Sequence, residues 1–214
     1  MYLLSLIGSV GLIGALVFLL FFVLALVIHE WAHAYSANAL GDDTPRLMGR
    51  LTLDPRAHID PLGAFLFLIA GFGWGKPVPY NPLRLKRRVD ELYIALAGPA
   101  INLVAAVILN LLAFGLAHLS TNQPLLNLTS FLAIGAQVNV LIAAFNLLPL
   151  PPLDGSSIVA YFLPQYRSLQ FSQVGILIIL FTLFVPVGGQ SILWIILNPI
   201  MSFFHVITLS GLVG

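Results

Sequence analysis

The sequence has no cysteine and very little charge. Without cysteine there can be no disulfide, no thiol nucleophile and no cysteine-held zinc. Charged residues are 8% of the 214, against about a quarter in a typical soluble domain, and 59% are hydrophobic. A water-soluble fold of this size cannot hide so much apolar surface, so the lipid bilayer is the expected solvent. The net charge of +1 leaves no electrostatic footprint for nucleic acid, which is excluded as a partner. No internal repeat or low-complexity tract is visible, which disfavours an inverted-repeat transporter.

What the sequence does have is long apolar runs, through residues 2–40, 62–73, 91–117, 125–148, 171–187 and 191–210. Most exceed the roughly 20 residues a helix needs to cross about 30 Å of hydrocarbon. The run at 171–187 is at the short end. The run at 62–73 is too short, because a helix of that length rises only about 18 Å. It is flanked by Arg46, Arg50 and Arg56 before and by Lys76, Arg84, Lys86, Arg87 and Arg88 after. Excess Lys and Arg mark cytoplasmic loops, so both flanks are expected on the cytoplasmic side, with 62–73 re-entrant or interfacial. A tilted short span is the alternative, and it would put one basic cluster outside. The uncharged linker 118–126 suits the outer side, and Arg167 returns the chain to the cytoplasm.

The expected architecture is an all-α polytopic membrane protein of one domain, 1–214, in the plasma or inner membrane. It has an outside N-terminus and about five transmembrane helices. The catalytic core covers about 10–155, and a C-terminal helical hairpin covers about 171–210. The first apolar run has no basic n-region and is too long for a signal-peptide core, so it is expected to be retained. Residues 74–82 contain Pro77, Pro79 and Pro82 and cannot be helical. They are read as a short extended edge segment near the membrane, or as a plain connecting loop.

The chemistry begins in the first run. His29 and His33 are four residues apart, which on a helix puts both imidazoles on one face, one turn apart. Two histidines at this spacing can share one tetrahedral zinc. Glu30 lies about 100° around the helix and can reach a water at the metal without being a ligand. Zinc brings the pKa of such a water to about 7, and the carboxylate can take its proton and pass it to a leaving amine. The chain has only two glutamates, Glu30 and Glu91, and five histidines. Chance would produce this pattern roughly once in a thousand such chains. An ionised side chain at a helix centre also costs about 2.5–3.5 kcal/mol on insertion scales, a cost that a shared metal can offset.

A catalytic zinc needs a third protein ligand and an open position. Asp42, Asp43, Asp54, Asp60, Asp90 and Glu91 sit in or beside charged loops. Asp154 differs, because it follows a long apolar run in a segment that Pro149, Pro151 and Pro152 keep from being helical. Gly155 permits an unusual turn there. Irregular backbone at membrane depth must be buried in protein or line a cavity, so this segment is expected to fold against the first helix. A helix-capping role for Asp154 is the alternative. His205, in the last run, is the best competing ligand. His58 and His118, near the interfaces, are expected to be structural. Asn146 is placed either to donate to a developing oxyanion or to satisfy carbonyls freed near the prolines. Asn102 and Asn139 read as polar contacts between helices.

With these motifs in hand, the sequence resembles the site-2 protease family of intramembrane zinc metalloproteases (M50-type), in particular its short bacterial members. The resemblance rests on His29-Glu30-x-x-His33, on Ala97-Gly98-Pro99-x-x-Asn102, and on Asn146-x-x-Pro149-x-Pro151-x-Leu153-Asp154-Gly155, and it extends to Arg56–Pro61 and Gly75–Pro79. It implies one zinc per chain, held by His29, His33 and Asp154, with Glu30 as general base and Asn146 as transition-state donor. It also implies a three-helix core, here 10–40, 91–117 and 125–148. The implied substrates are membrane-anchored proteins cut in or near their transmembrane helix, with the site toward the cytoplasmic side. It leaves room for a regulatory membrane protein. The sequence departs from many members in having no PDZ domain between core spans.

A substrate helix hides its peptide bonds in its own hydrogen bonds and must unwind before attack. Pairing with an edge strand would replace the lost bonds. Gly75, Lys76, Pro77 and Val78 are the candidate substrate-binding residues. The principal alternative is a non-proteolytic zinc-binding membrane protein, or pseudoprotease, against which Glu30 argues. A serine protease would need a histidine paired with Ser156 or Ser191, and an aspartyl protease would need two intramembrane aspartates. Neither pattern is evident.

Overall fold

The computed structural model describes residues 2–70, 73–119, 122–167 and 174–212. Helix α1 runs Tyr2–Ala39, followed by two single turns, α2 (Thr44–Leu47) and α3 (Pro55–His58), and by α4 (Pro61–Ala70). Helices α5 (Val89–Leu119) and α6 (Gln123–Asn146) form an antiparallel pair, and α7 covers Asp154–Phe162. Helix α8 (Val174–Phe184), the two-residue strands β1 (Pro186–Val187) and β2 (Gln190–Ser191), and α9 (Ile192–Ile207) complete the chain. Among the described residues, three helices are long and apolar enough to cross a membrane: Gly11–Ala39, Val89–Leu119 and Gln123–Asn146. Their bounds agree with the runs at 10–40, 91–117 and 125–148. Gly11, at φ 74°, breaks the path of α1, a conformation that glycine adopts without steric cost.

Apolar surface in contact with lipid gives no drive for helices to associate, so close packing must do so. Ala106 on α5 and Ala136, Val140 and Ala144 on α6 are fully buried. Such small side chains let backbones approach closely. On α1, Ala15, Ala25, Ala34 and Ala37 are buried while Leu12, Leu16, Leu20 and Leu24 are exposed. The four-residue spacing of the leucines makes one lipid-facing stripe.

The chain that leaves α4 comes back beside the start of that helix. Helix α4 is 10 residues long, about 15 Å, and leans on α1 through Phe67, whose ring stacks on Phe22 at 3.8 Å. A Cβ on Gly63 would collide with the Trp74 carbonyl, and one on Gly73 with the Gly63 carbonyl. The two basic flanks therefore lie at the same end of the bundle. There Asp42 accepts hydrogen bonds from the Asn81 N–H at 2.5 Å and the Thr44 hydroxyl at 2.5 Å. Burial opposes ionisation of Asp42, but these bonds outweigh it and hold its carboxyl below the usual range. Arg84 pairs with Asp43, and Arg167 with Glu91.

The C-terminal part differs from expectation. A hairpin joins α8 and α9, as Pro186↔Ser191 pairing shows, but α8 has 11 residues, about 16 Å, too few to cross alone. Residues 171–173 of the expected span lie outside the described residues. The last helix, α9, runs parallel to α5. Trp194 and Leu197 line the same cavity as His33 and Asp154, while Thr208, beyond the far end of α9, accepts from Asn110 at 2.8 Å. The reason is packing. Leu193, Leu197 and Phe204 bury against Ala106, Ala136 and Val140, and that contact directs α9 along the α5–α6 pair.

Helix α8 is fixed by a close approach. A Cβ on Gly175 would collide with the Pro151 carbonyl. Gly175→Ala is expected to destabilise the fold by about 1–3 kcal/mol through overpacking, measured as a lowered melting temperature in detergent.

Candidate metal centre

Helix α1 presents His29 and His33 on one face, with their ring centroids 4.7 Å apart. Asp154 comes from the first turn of α7, where a helix N-terminus favours a carboxylate. Its placement depends on the chain between α6 and α7. Residues 147–153 are not helical, and a Cβ on Gly155 would collide with the carbonyls of Leu147 and Leu148. Gly155 is therefore needed for close packing of α7 on the end of α6, rather than for an unusual turn. The Asp154 Oδ2 atom lies 3.0 Å from His29 Nε2 and 3.2 Å from His33 Nε2.

The other ring nitrogens are engaged. His33 Nδ1 donates to the Ile94 carbonyl at 2.7 Å, and His29 Nδ1 donates to Asn102 Oδ1 at 2.6 Å. With Nδ1 the donor in both rings, Nε2 is in each the atom left to ligate a metal, and both Nε2 atoms face the same carboxylate oxygen. A divalent cation there can be held by all three groups at once. The ligand atoms of His29, His33 and Asp154 all lie within 4.8 Å of one another. Bonds of about 2.0–2.1 Å at tetrahedral angles put ligand atoms roughly 3.3 Å apart, close to the separations found. The residues fit a zinc ion with one position open.

Space for the ion depends on α5. A Cβ on Gly98 would come within 2.6 Å of His29 Nε2 and would also collide with His33 Nε2. Gly98 keeps open the space the two nitrogens share, and the Gly98-Pro99 pair was the signal for it in the sequence. Asn102, expected to be an interhelical contact, is fully buried and contacts His29 directly. Its spacing of one turn from Gly98 could have identified it.

The centre opens into a cavity of about 430 Å³, whose walls include Glu30, Asn146, Pro77 and Val78. Gly75 packs directly on the catalytic candidate, because a Cβ there would lie 3.1 Å from Glu30 Oε1. The segment from Gly75 carries one isolated bridge and no regular strand. Gly75 pairs antiparallel with Ile59, and the Lys76 N–H donates to the His58 carbonyl at 2.7 Å. The Lys76 side chain is exposed and outside the cavity lining, so only its backbone belongs to the site. The Arg50 guanidinium, itself buried, donates to the Lys76 carbonyl. Nothing in the sequence distinguished Arg50 from the other loop cations. Asn146 spends one N–H on the Ile142 carbonyl at 3.0 Å, which is the backbone-satisfying role, and an amide has a second N–H to give.

The competing ligands are elsewhere. His205 contacts Ser210 Oγ at 3.1 Å, at the end of the molecule where Thr208 meets Asn110. His58 donates to the Thr52 carbonyl, and His118 bonds within its own helix. Asp54 caps α3 through the Arg56 N–H, Asp60 accepts from Gly63, and Asp90 pairs with Arg87.

Gly98→Ala should abolish stoichiometric zinc while leaving helicity intact, since Ala is the better helix former by about 1 kcal/mol. Metal analysis and circular dichroism on the same sample check both halves.

Comparison with known proteins agrees with this geometry. The model of peptidase family M50 matches residues 17–123 and 115–186, a range that contains His29, Glu30, His33, Asn146 and Asp154. YwhC of Bacillus subtilis (strain 168), named as a proposed zinc metalloprotease, is 40% identical over 185 residues, 82% of this chain and 83% of the relative. Rip2 of Mycobacterium tuberculosis (strain ATCC 25618 / H37Rv), named likewise, is 36% identical over 138 residues, 62% of this chain and 52% of the relative. The chain thus spans about half of the Rip2 sequence. No solved structure matches. The family match runs through all three helices that build the centre, and the chain belongs to peptidase family M50 as a membrane-embedded zinc metalloprotease.

Proposed function

We propose that the chain is an intramembrane endopeptidase that cuts membrane-anchored proteins in or near their transmembrane segments. His29, His33 and Asp154 are the zinc ligands, Glu30 is the general base, and Asn146 is the oxyanion donor. The observation that carries this reading is the convergence of two imidazole nitrogens and one carboxylate oxygen on a single point, beside the Glu30 carboxylate on a cavity wall.

Zinc held there supplies a Lewis acid that polarises a carbonyl and acidifies water. Glu30, on the helix position next to His29, takes the proton of the attacking water and returns it to the leaving amine. The second N–H of Asn146 is available to the carbonyl oxygen as it becomes negative. Leu26, Phe22 and Phe67 line the same cavity and exclude bulk water, which strengthens each of these interactions. A carboxylate so placed has no purpose in a non-proteolytic zinc protein, which disfavours that alternative.

Residues 75–78 form the edge on which an unwound substrate segment pairs. The site faces the cytoplasmic side of the cell membrane. Eight of the nine Lys and Arg residues lie between α1 and α5, and the ninth, Arg167, follows α7, and cytoplasmic loops carry such an excess. A regulatory membrane protein is a further partner.

Two measurements test this reading. Glu30→Gln should reduce cleavage of a tagged transmembrane reporter at least a thousandfold, on the order of the loss of a general base with its proton transfer, while zinc content stays at wild-type level. Equal cleavage by the two proteins would end the protease reading. Arg50→Ala should raise KM for the same reporter about tenfold, because it removes one charged hydrogen bond that holds the edge, again with zinc retained. An unchanged KM would detach residues 75–78 from substrate binding.

A further inference from the structure

The amide groups behind His29 form a directed chain across all three core helices. The Gly135 carbonyl on α6 can only accept, and the Asn139 side-chain N–H donates to it at 2.8 Å. That turns the Asn139 oxygen toward α5, where it accepts from Asn102 Nδ2 at 2.8 Å. The same Asn102 nitrogen donates to the Ala25 carbonyl of α1 at 3.0 Å. Both Asn102 N–H groups are therefore committed to acceptors, and its oxygen must face His29 Nδ1 at 2.6 Å. Rotating the Asn102 amide by half a turn would set its oxygen against two other oxygens and leave a buried N–H facing the imidazole. Every member is buried: Asn102 is 0% exposed, and Asn139 and His29 are each 2% exposed. Water cannot compensate for a reversed link.

We infer that Asn139, which touches neither His29 nor the cavity, is a positioning residue that acts through Asn102 to keep the His29 proton on Nδ1 and the Nε2 lone pair directed at the metal. His33 needs no such device, because its Nδ1 faces a backbone carbonyl, Ile94, that cannot reverse. The two histidines are thus set by different means. The consequence is a link between folding and metal capture. The His29 tautomer is correct only when α6, α5 and α1 are packed together, so a partly assembled bundle binds zinc weakly. Outer partners of metal-bound histidines change metal affinity by about 10–100-fold.

The test uses the full chain in detergent, with zinc dissociation constants measured by chelator competition. Asn139→Leu keeps the side-chain size and removes the link. It should weaken zinc binding 10–100-fold, with any fall in the thermal stability of the zinc-free protein, from the unpaired Asn102 N–H, too small to account for the lost affinity. If Asn139 acts through Asn102, the double variant Asn102→Leu/Asn139→Leu should bind zinc no more weakly than Asn102→Leu alone. A dissociation constant within twofold of wild type, or losses that multiply in the double variant, would overturn the inference. So would a parallel fall in zinc-free stability that accounts for the lost affinity. If Asn139→Leu fails to fold, nitrogen-15 resonances of labelled histidine in the zinc-bound wild type decide the question. A slowly exchanging ring proton on His29 Nδ1 is expected, and its absence would refute the chain of amides.

Discussion

Two imidazole nitrogens and one carboxylate oxygen, each able to ligate a metal, meet within hydrogen-bond distance inside an apolar bundle, and the rest of the structure is arranged to enforce that meeting. His33 is turned by a backbone carbonyl and His29 by an amide. Asp154 is carried in at the first turn of a short helix that α6 itself could not have supplied. Each constraint directs a ligand atom toward one point, where a zinc ion can be held by all three.

The packing that allows this depends on what side chains lack. Gly98 leaves room where the two Nε2 atoms point. Gly155 lets α7 sit on the end of α6, and Gly175 brings α8 against the Pro151 carbonyl. Alanines on α1, α5 and α6 let the long helices approach until Asn102 reaches both Ala25 and Asn139. In lipid, where burial of apolar surface does not hold helices together, close approach and interhelical hydrogen bonds do so. Here the same contacts that hold the bundle also orient the metal ligands, so stability and metal affinity are coupled.

The cavity has a polar wall and a folded-back wall. Trp74 lies against Gly63 at the start of α4, which brings the segment from Gly75 directly against Glu30 and keeps both basic flanks at one end. Arg50 holds that segment by the Lys76 carbonyl. A buried guanidinium next to a carboxylate and an extended edge is costly to place in a membrane protein, and its position behind the edge gives a reason for that cost.

Several of these features could be read before any tertiary structure was known. The spacing of His29, Glu30 and His33 follows from helix geometry alone, because one turn of helix puts the imidazoles together. The three long helices follow from run length against bilayer thickness, and the short run at 62–73 between two basic flanks is too short for a fourth. Asp154 stood out because prolines break the apolar run before it, and family resemblance supported it. Other features depend on contacts between distant parts of the chain. Asn102 was visible as a polar group in a span, but only its contact with His29 gives it a role. Arg50 and Lys76 were loop cations until the fold put one guanidinium on one carbonyl. His205 had as good a claim as Asp154 by residue type, and the packing of α9 carried it to the other end of the bundle. The direction of that helix was set by burial of Leu193, Leu197 and Phe204, not by charge. Local spacing and hydropathy determined the elements and the metal-binding pair, because those depend on geometry within one helix. Which third ligand, which amide and which cation joined them was decided by tertiary packing, because it brings together residues 26 to 125 positions apart.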